Sequence, residues 1–451
     1  MRWSALLSAR RIDKNGCIVP QTDDEPPLRT AFQRDADRIL FSSAFRRLKD
    51  KTQVFPLPEN DLIHSRLSHS IEVAVIGRSL GFAVGQHIAA RHNEDPKRLW
   101  AQECADVVAA ACLSHDIGNP PFGHSGEDAI GRFFGRDDTQ SLLRKSGFLP
   151  LQCWDLCHFE GNAQGFRLLT RLSDEPRGGM RLTAATLAAF CKYPREAGDG
   201  LTCPSVVFLK KPGVFQAERA VFETVAREVG LLSRDEKALV FNRHPLAFLV
   251  EAADDIAYCL LDVEDGLRLH LVPKDRGIAS MRAIAEKTLH FDPPLDDDGS
   301  QLVEYLRARA IKQLLIETAQ AFLDHEASIL SGQFSQSLLE VVPSAQALRE
   351  VRELSATFCY SNRSVLEIEL AGYRLLDELL GELVPAAIKP VCDRSGHDTK
   401  LLRLLPSLPN DESPYERVLR ITDFISGMTD SHAVSLYRKL RGISLPGGVR
   451  L

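Results

Sequence analysis

The sequence predicts a mainly α fold with at most a small hairpin. Apolar residues recur at helical spacing along most of the chain, and strand-type alternation is scarce. The intervening stretches carry clusters of Gly, Pro and Asp. From His69, the apolar positions Val73, Ile76, Leu80 and Val84 mark a helix. Residues 103–115 (ECADVVAAACLSH) read as an alanine-rich helix, with Gly118 just past its end. Ser125 with Asp128 three residues on has the form of a capping box, which predicts a helix start there. Further helices are expected over 246–269, 301–330, 346–356, 364–384 and 415–441. The only strand material is SVVFL at 205–209. Breaks fall at 194–204, 292–299 and 406–414, and there are no repeats or low-complexity tracts.

The length of 451 residues gives a soft prior of about three domains, but no linker is long or polar enough to enforce it. The expected organisation is one unit over 1–451, with a catalytic core at 60–270 and a helical region at 271–451. Composition is that of a globular protein, 44% hydrophobic and 26% charged. A net charge of −6 argues against a general polyanion binder and leaves room for local basic pockets, with candidates at Arg46, Arg47, Lys49, Lys51, Lys210 and Lys211. MRWSALLSARR has too short an apolar run for a signal peptide, and no stretch reads as a membrane span. Ten cysteines without regular spacing fit reduced thiols, so a soluble cytoplasmic protein is expected. The pattern CWDLCH at 153–158 lacks haem-attachment spacing and a partner pair for zinc.

The candidate chemistry gathers in SHDIGNPPFGHSGE, residues 114–127. His115 and Asp116 close an apolar helix, and His69 opens another. In the 246–269 helix, Asp254, Tyr258 and Asp262 stand at i, i+4 and i+8, within an arc of about 80°. Two imidazoles and two carboxylates without a thiolate would suit Mn²⁺, Fe²⁺, Mg²⁺ or Ni²⁺ better than structural zinc. His124 at a helix entry, with Glu127 in its first turn, can form an acid/base pair beside an anion-favouring helix N-terminus.

These residues follow an H…HD…D pattern, and longer segments extend it. They are RTAFQRDADRILFSSAFRRLKDKTQVF (29–55), HSRLSHSIEVA (64–74), HDIGNPPFGHSGE (115–127), FEGNAQGFR (159–167), LTAATLAAFCKYP (182–194), EAADDIAYCLLDVEDG (251–266) and DFISGMTD (423–430). The chain resembles the deoxyguanosinetriphosphate triphosphohydrolase (dGTPase) and dGTPase-like family of HD-domain phosphohydrolases.

That resemblance implies an HD-domain helical core with additional helices. It also implies hydrolysis of a deoxynucleoside triphosphate, such as dGTP, to deoxynucleoside and inorganic triphosphate. The implied metal ligands are His69, His115, Asp116 and Asp254. Asp254 is preferred to Asp255 because Tyr258 and Asp262 then keep the family register. His124 and Glu127 match the acid/base pair, and His124 would protonate the leaving oxygen. Gln53, Arg66, Asn162, Lys192, Tyr193, Lys211, Tyr258 and Asp262 match substrate-binding positions, Lys211 in a more variable segment. Mn²⁺ or Mg²⁺ is the first expectation, with Fe²⁺, Ni²⁺ or Co²⁺ as alternatives. Where many relatives have a histidine before the Asn of EGNAQ, this chain has Gly161. The family also implies a homo-oligomer, hexamer or tetramer, with single-stranded DNA binding in some members and no membrane partner. The competing readings are an HD-domain 5′-nucleotidase-like phosphohydrolase and a non-catalytic dNTP sensor.

Overall fold

A computed structural model describes residues 1–19, 29–55, 63–92, 98–171, 179–198, 202–235, 238–294, 299–409 and 411–443. Parts of the three expected breaks, and the expected core boundary at residue 60, lie outside the described residues. The fold is mainly α. Two small antiparallel strand pairs occur, Arg11–Ile12 with Ile18–Val19 and Ser233–Asp235 with Val240–Phe241.

At the centre, helix Arg66–His92 packs along helix Trp100–Ser114. Gly77, Gly81 and Gly85, four residues apart, explain how closely. A Cβ there would stand 2.4 Å from Cys112 Sγ, 2.7 Å from the Cys104 carbonyl oxygen and 2.7 Å from Ala101 Cα, respectively. Only hydrogen fits, so the two helices run antiparallel almost in backbone contact. The same register, continued toward the start of the first helix, brings His69 beside His115. Helix Pro245–Arg268 crosses both and carries Asp254 into the same place.

Arg66–His92 is long and apolar enough to cross a membrane by length and composition, contrary to the sequence expectation. Its apolar side is buried against neighbouring helices, and Val73, Leu80, Val84 and Ile88 have no exposed surface.

Two hydrophobic clusters form, each taking residues from both sides of position 270. The larger runs from Trp3 to Val365. The smaller joins Phe122, Ile130 and Phe134 to Leu376, Leu380, Val418 and Ile425. In it, helix Arg363–Ile388 covers helix Gly123–Phe134, and helix Pro414–Ser426 packs behind.

Several local expectations change. SVVFL forms no strand; Val207–Leu209 is a 3₁₀ turn, with Phe208 buried beside Phe248. Packing of those rings decides the local shape, which β propensity alone does not. The 415–441 segment is two helices, Pro414–Ser426 and Asp430–Leu440, because Thr429 caps a fresh N-terminus by accepting from the His432 N–H. The helix expected to start at Ser125 begins at Gly123 without a side-chain cap. Its entry is set instead by Phe122 at φ 65°, whose N–H donates to Asp430 Oδ1 at 3.0 Å.

Candidate active site

His115 is the first residue past helix Trp100–Ser114, and its ring is fixed by that helix end. Its Nδ1 lies 2.7 Å from the Cys112 carbonyl oxygen. A carbonyl only accepts, so Nδ1 carries a hydrogen and Nε2 is the ring atom that can coordinate a cation once it gives up its proton. That Nε2 points at Asp116 Oδ2 (3.5 Å) and Asp254 Oδ1 (3.4 Å). His69 Nε2 meets the same Asp254 oxygen at 3.0 Å, and the two imidazole centroids are 5.3 Å apart. One ligand atom each from His69, His115 and Asp254 lies within 4.8 Å of the others, a group that could hold a metal ion.

Asp116 stands at the edge of this group. Its Oδ1 accepts from Arg66 Nη1 (2.8 Å) and Asn119 Nδ2 (2.5 Å), whereas its buried Oδ2 has no hydrogen-bond partner among the described residues. An orphaned carboxylate oxygen beside His115 Nε2 fits a fourth cation ligand, because a buried polar atom without a hydrogen-bond partner is costly. Asp255, by contrast, turns away and pairs with Arg352 Nη2 at 2.9 Å. Burial disfavours a charged His115, but Asp116 and then Asp254 outweigh it and hold the ring at about 9. Burial also opposes ionisation of Asp254, yet His115 and His69 hold it well below the usual carboxylate range.

Between this group and a neighbouring cavity sits Arg66, almost wholly buried. Gly123, at φ 57°, lets it in: a Cβ there would stand 2.7 Å from Arg66 Nη2. The cavity, about 240 Å³, is lined by Thr52, Gln53, Arg66, Phe122, His124 and Tyr258, and by Tyr360 and Glu369 from the C-terminal helices. Gln53 Oε1 and Arg66 Nε are buried without hydrogen-bond partners among the described residues, so hydrogen-bonding capacity is unspent on its wall. Tyr258 stacks on Tyr360 at 5.8 Å, and Tyr360 donates its hydroxyl to Asp262 Oδ2 at 2.5 Å. Burial lifts Asp262 to about 8.

A second cavity, about 600 Å³, adjoins the first at His124. Its wall holds Glu127, whose Oε1 accepts from the Gly161 N–H at 2.9 Å and whose Oε2 faces Lys211 Nζ at 3.7 Å. Lys211 also reaches Glu160 Oε1 at 3.3 Å, and Asn162 donates to both Glu160 oxygens through its N–H and Nδ2. Among the described residues no hydrogen bond joins Glu127 to His124, so the two are not in direct contact as an acid/base pair. Desolvation, then Arg66 and Lys211, hold His124 below its usual range. Burial raises Glu127 despite Lys211. Lys192 and Tyr193 line neither cavity; Lys192 Nζ lies 3.6 Å from Glu251, one helical turn before Asp254.

The comparisons with known proteins join this geometry. The HD domain family matches residues 66–160, the stretch carrying His69, His115, Asp116, His124 and Glu127. A curated protein of Synechocystis sp., named deoxyguanosinetriphosphate triphosphohydrolase-like protein, is 43% identical over 99% of this chain and 100% of its own length. A relative of the same name from Pseudomonas aeruginosa is 37% identical, again over 99% and 100%. One from Yersinia enterocolitica, named deoxyguanosinetriphosphate triphosphohydrolase, is 32% identical over 93% of this chain and 95% of its own. The chain belongs to the dGTPase-like family.

As a dGTPase-like protein it is an HD-domain phosphohydrolase. In this member Gly161 replaces the histidine expected from many relatives, and its surroundings leave no room for a side chain. A Cβ would stand 2.1 Å from Asn119 Oδ1 and 2.5 Å from Glu127 Oε1. Gly161→Ala is therefore expected to lose about 1–3 kcal/mol of stability through overpacking. Activity should fall as well, because the nearest atoms belong to Glu127 and to the partner of Asp116. Thermal unfolding and turnover, measured together, check both.

Reading the sequence alone offered Lys51 only as part of a basic cluster and missed Asn119, Glu160, Tyr360 and Asp430. All but Tyr360 lie inside segments that carried the family resemblance, without a role attached. Tyr360 ends a π-helical turn, Ala356–Tyr360, and only folding brings it beside Tyr258.

Proposed function

We propose that this chain hydrolyses deoxynucleoside triphosphates, dGTP first among them, to deoxynucleoside and inorganic triphosphate with the help of a divalent metal. The carrying observation is Arg66: one buried guanidinium binds Asp116 beside the His69–His115–Asp254 group and also lines the cavity of Gln53, Tyr258 and His124. A phosphate placed against Arg66 would lie between the metal ligands and a nucleoside-sized space.

A divalent ion held by His69, His115, Asp116 and Asp254 would supply positive charge to the phosphate and lower the pKa of a water. The donor set of nitrogen and oxygen without thiolate suits Mn²⁺ or Mg²⁺, with Fe²⁺, Ni²⁺ or Co²⁺ as alternatives. Arg66 and Lys192 offset charge growing on the phosphate oxygens. A water loses one proton to solvent and its oxygen adds to the α-phosphorus as the bond from phosphorus to the 5′-oxygen breaks, and His124 delivers a proton to that 5′-oxygen. All three phosphates leave together. Substrate anions between Arg66 and Lys211 would mask the cations that depress His124, restoring its proton affinity when the proton is needed. Asp262, uncharged near neutrality at about 8, and Gln53 can bond the 3′-hydroxyl. Lys211 belongs to the polar wall; Asn162, which holds Glu160 beside it, and Tyr193 are further substrate-binding residues, with Glu127 as the partner in acid/base chemistry.

Incubation with each dNTP plus Mn²⁺ or Mg²⁺, followed by product identification, tests this. Deoxynucleoside and intact triphosphate are expected. Orthophosphate from monophosphates would favour a 5′-nucleotidase, and binding without products a sensor. Metal affinity should also depend on pH, because the His115 proton must leave Nε2 before that atom can coordinate. Below about 9, affinity should weaken by about tenfold per pH unit, as measured by calorimetric titration with Mn²⁺. A pH-independent affinity would remove His115 from the ligand set.

A further inference from the structure

The segment DFISGMTD has no role in the chemistry above, yet it reaches several of the segments that build the site. Asp423 accepts from Gln164 Nε2 (2.7 Å) and from Arg167 Nε and Nη2 (2.8 and 2.9 Å), on the helix that begins at Gly161. The Ser426 carbonyl accepts from Lys51 Nζ at 2.5 Å, and the same ammonium donates to the Asn119 carbonyl at 2.6 Å. Ser431 Oγ donates to Asp50 Oδ1 at 3.1 Å.

Asp430 closes the set. It is 1% exposed and accepts three hydrogen bonds from two separate segments. Oδ2 takes the Thr52 N–H (2.9 Å) and Thr52 Oγ1 (2.5 Å), while Oδ1 takes the Phe122 N–H (3.0 Å). Arg66 and Lys51 stand close enough for its charge to raise the pKa of each.

Both segments line the 240 Å³ cavity, one through Thr52 and Gln53, the other through Phe122, Gly123 and His124. Phe122 needs holding. A bulky residue at φ 65° is strained and persists only where its surroundings over-determine it. Asp430 supplies the bond to its N–H, directly ahead of the helix turn that carries His124.

We propose that Asp430 is a positioning residue that sets the width of the nucleoside cavity by tying its two walls to one carboxylate, and thereby sets the discrimination between deoxyribose and ribose. Asp430 does not line the cavity; it acts through Thr52 and Phe122. The proposal rests on the triphosphohydrolase reading for its choice of ligand. The tie itself is a matter of geometry. A ribose differs from a deoxyribose by one hydroxyl, so a cavity wider by a fraction of an ångström is enough to admit it.

Asp430→Asn tests this with little change of shape. Both walls present donors to Asp430, and an asparagine has one oxygen and one amide NH₂, so one wall loses its acceptor. Thr52→Val is the milder companion, removing only the hydroxyl bond and leaving Asp430 with Phe122. It stands in if Asp430→Asn does not fold.

Hydrogen–deuterium exchange should then be about tenfold faster or more in a peptide covering 51–54 or 120–124, with Trp100–Ser114 unchanged. The preference for dGTP over GTP, read as the ratio of affinities by calorimetry and as the ratio of kcat/KM, should fall by about tenfold or more. A displacement near 1 Å at a reacting centre can cost about 10²-fold, so an effect of this size is within reach. A merely structural aspartate would lower stability and leave the ratio where it was. Unchanged exchange in both peptides overturns the proposal, as does altered exchange with an unaltered ratio, or wild-type protein that binds the two nucleotides alike. Wild-type protein that binds dGTP more tightly than GTP but releases no triphosphate would refute the triphosphohydrolase reading and leave the positioning role standing.

Discussion

Replacing His124 by alanine is expected to lower kcat by about 10²–10⁴-fold while metal content and melting temperature stay at wild-type values. The reason lies in its surroundings. The side chain sits at the junction of the two cavities, and no hydrogen bond to it occurs among the described residues. Nothing in the packing depends on it, so a loss of turnover would be a loss of chemistry. The pH profile sharpens the test. His124 lies below its usual range in the free protein through desolvation, Arg66 and Lys211. An acid with a depressed pKa loses its proton at lower pH, so the alkaline limb of kcat/KM should come early. Bound phosphates mask Arg66 and Lys211 and raise the pKa again, so the same limb in kcat should lie at higher pH. A variant with near-normal kcat, or limbs that coincide, would take the proton-donor role away from His124.

Asp254→Ala is expected to abolish stable metal binding, with affinity reduced by more than about 10²-fold, since loss even of a residue that only orients a ligand costs 10–100-fold. One oxygen of Asp254 meets both His69 and His115, so its removal dismantles the group from three helices at once. The variant should still fold, because the interior packing of helix Pro245–Arg268 runs through Ile256, Leu260 and Val263 on another side. Asp255→Ala is the control: its carboxylate is engaged by Arg352, and metal content should not change. Metal analysis of the purified variants decides between them. Unchanged content in Asp254→Ala, with loss in Asp255→Ala, would reverse the assignment.

The distinction between these adjacent aspartates shows how far a sequence can be read. Helical spacing placed Asp254, Tyr258 and Asp262 on one face, and family register chose Asp254, but spacing alone could not say which carboxylate meets an imidazole. Packing decides that, since Arg352 arrives from a helix some hundred residues downstream. The fold class was legible because burying an amphipathic helix leaves a period in the chain. The 205–209 segment was misread because short apolar runs carry no such period and take their shape from what they pack against.

The helix start at Gly123 was misplaced for a related reason. Ser125 and Asp128 have the right spacing for a cap, but the turn is fixed by Asp430, which lies 308 residues away. Local signals cannot report a hydrogen bond of that range. Asp430 was hidden in the same way, and Lys51, a candidate for a basic pocket, gave no local sign that it would bind two backbone carbonyls.

By itself, then, the sequence determined the helical class, the titratable residues gathered around SHDIGNPPFGHSGE and the family to which they point. Periodicity and residue type are local properties, written along the chain. Only the tertiary structure decided that Asp116 keeps one oxygen free, that Glu127 bonds Gly161 and not His124, and that Tyr360 joins the cavity of Gln53 and Tyr258. Each of these depends on which distant groups are brought within hydrogen-bonding reach, and close packing of the helices settles that for all of them together.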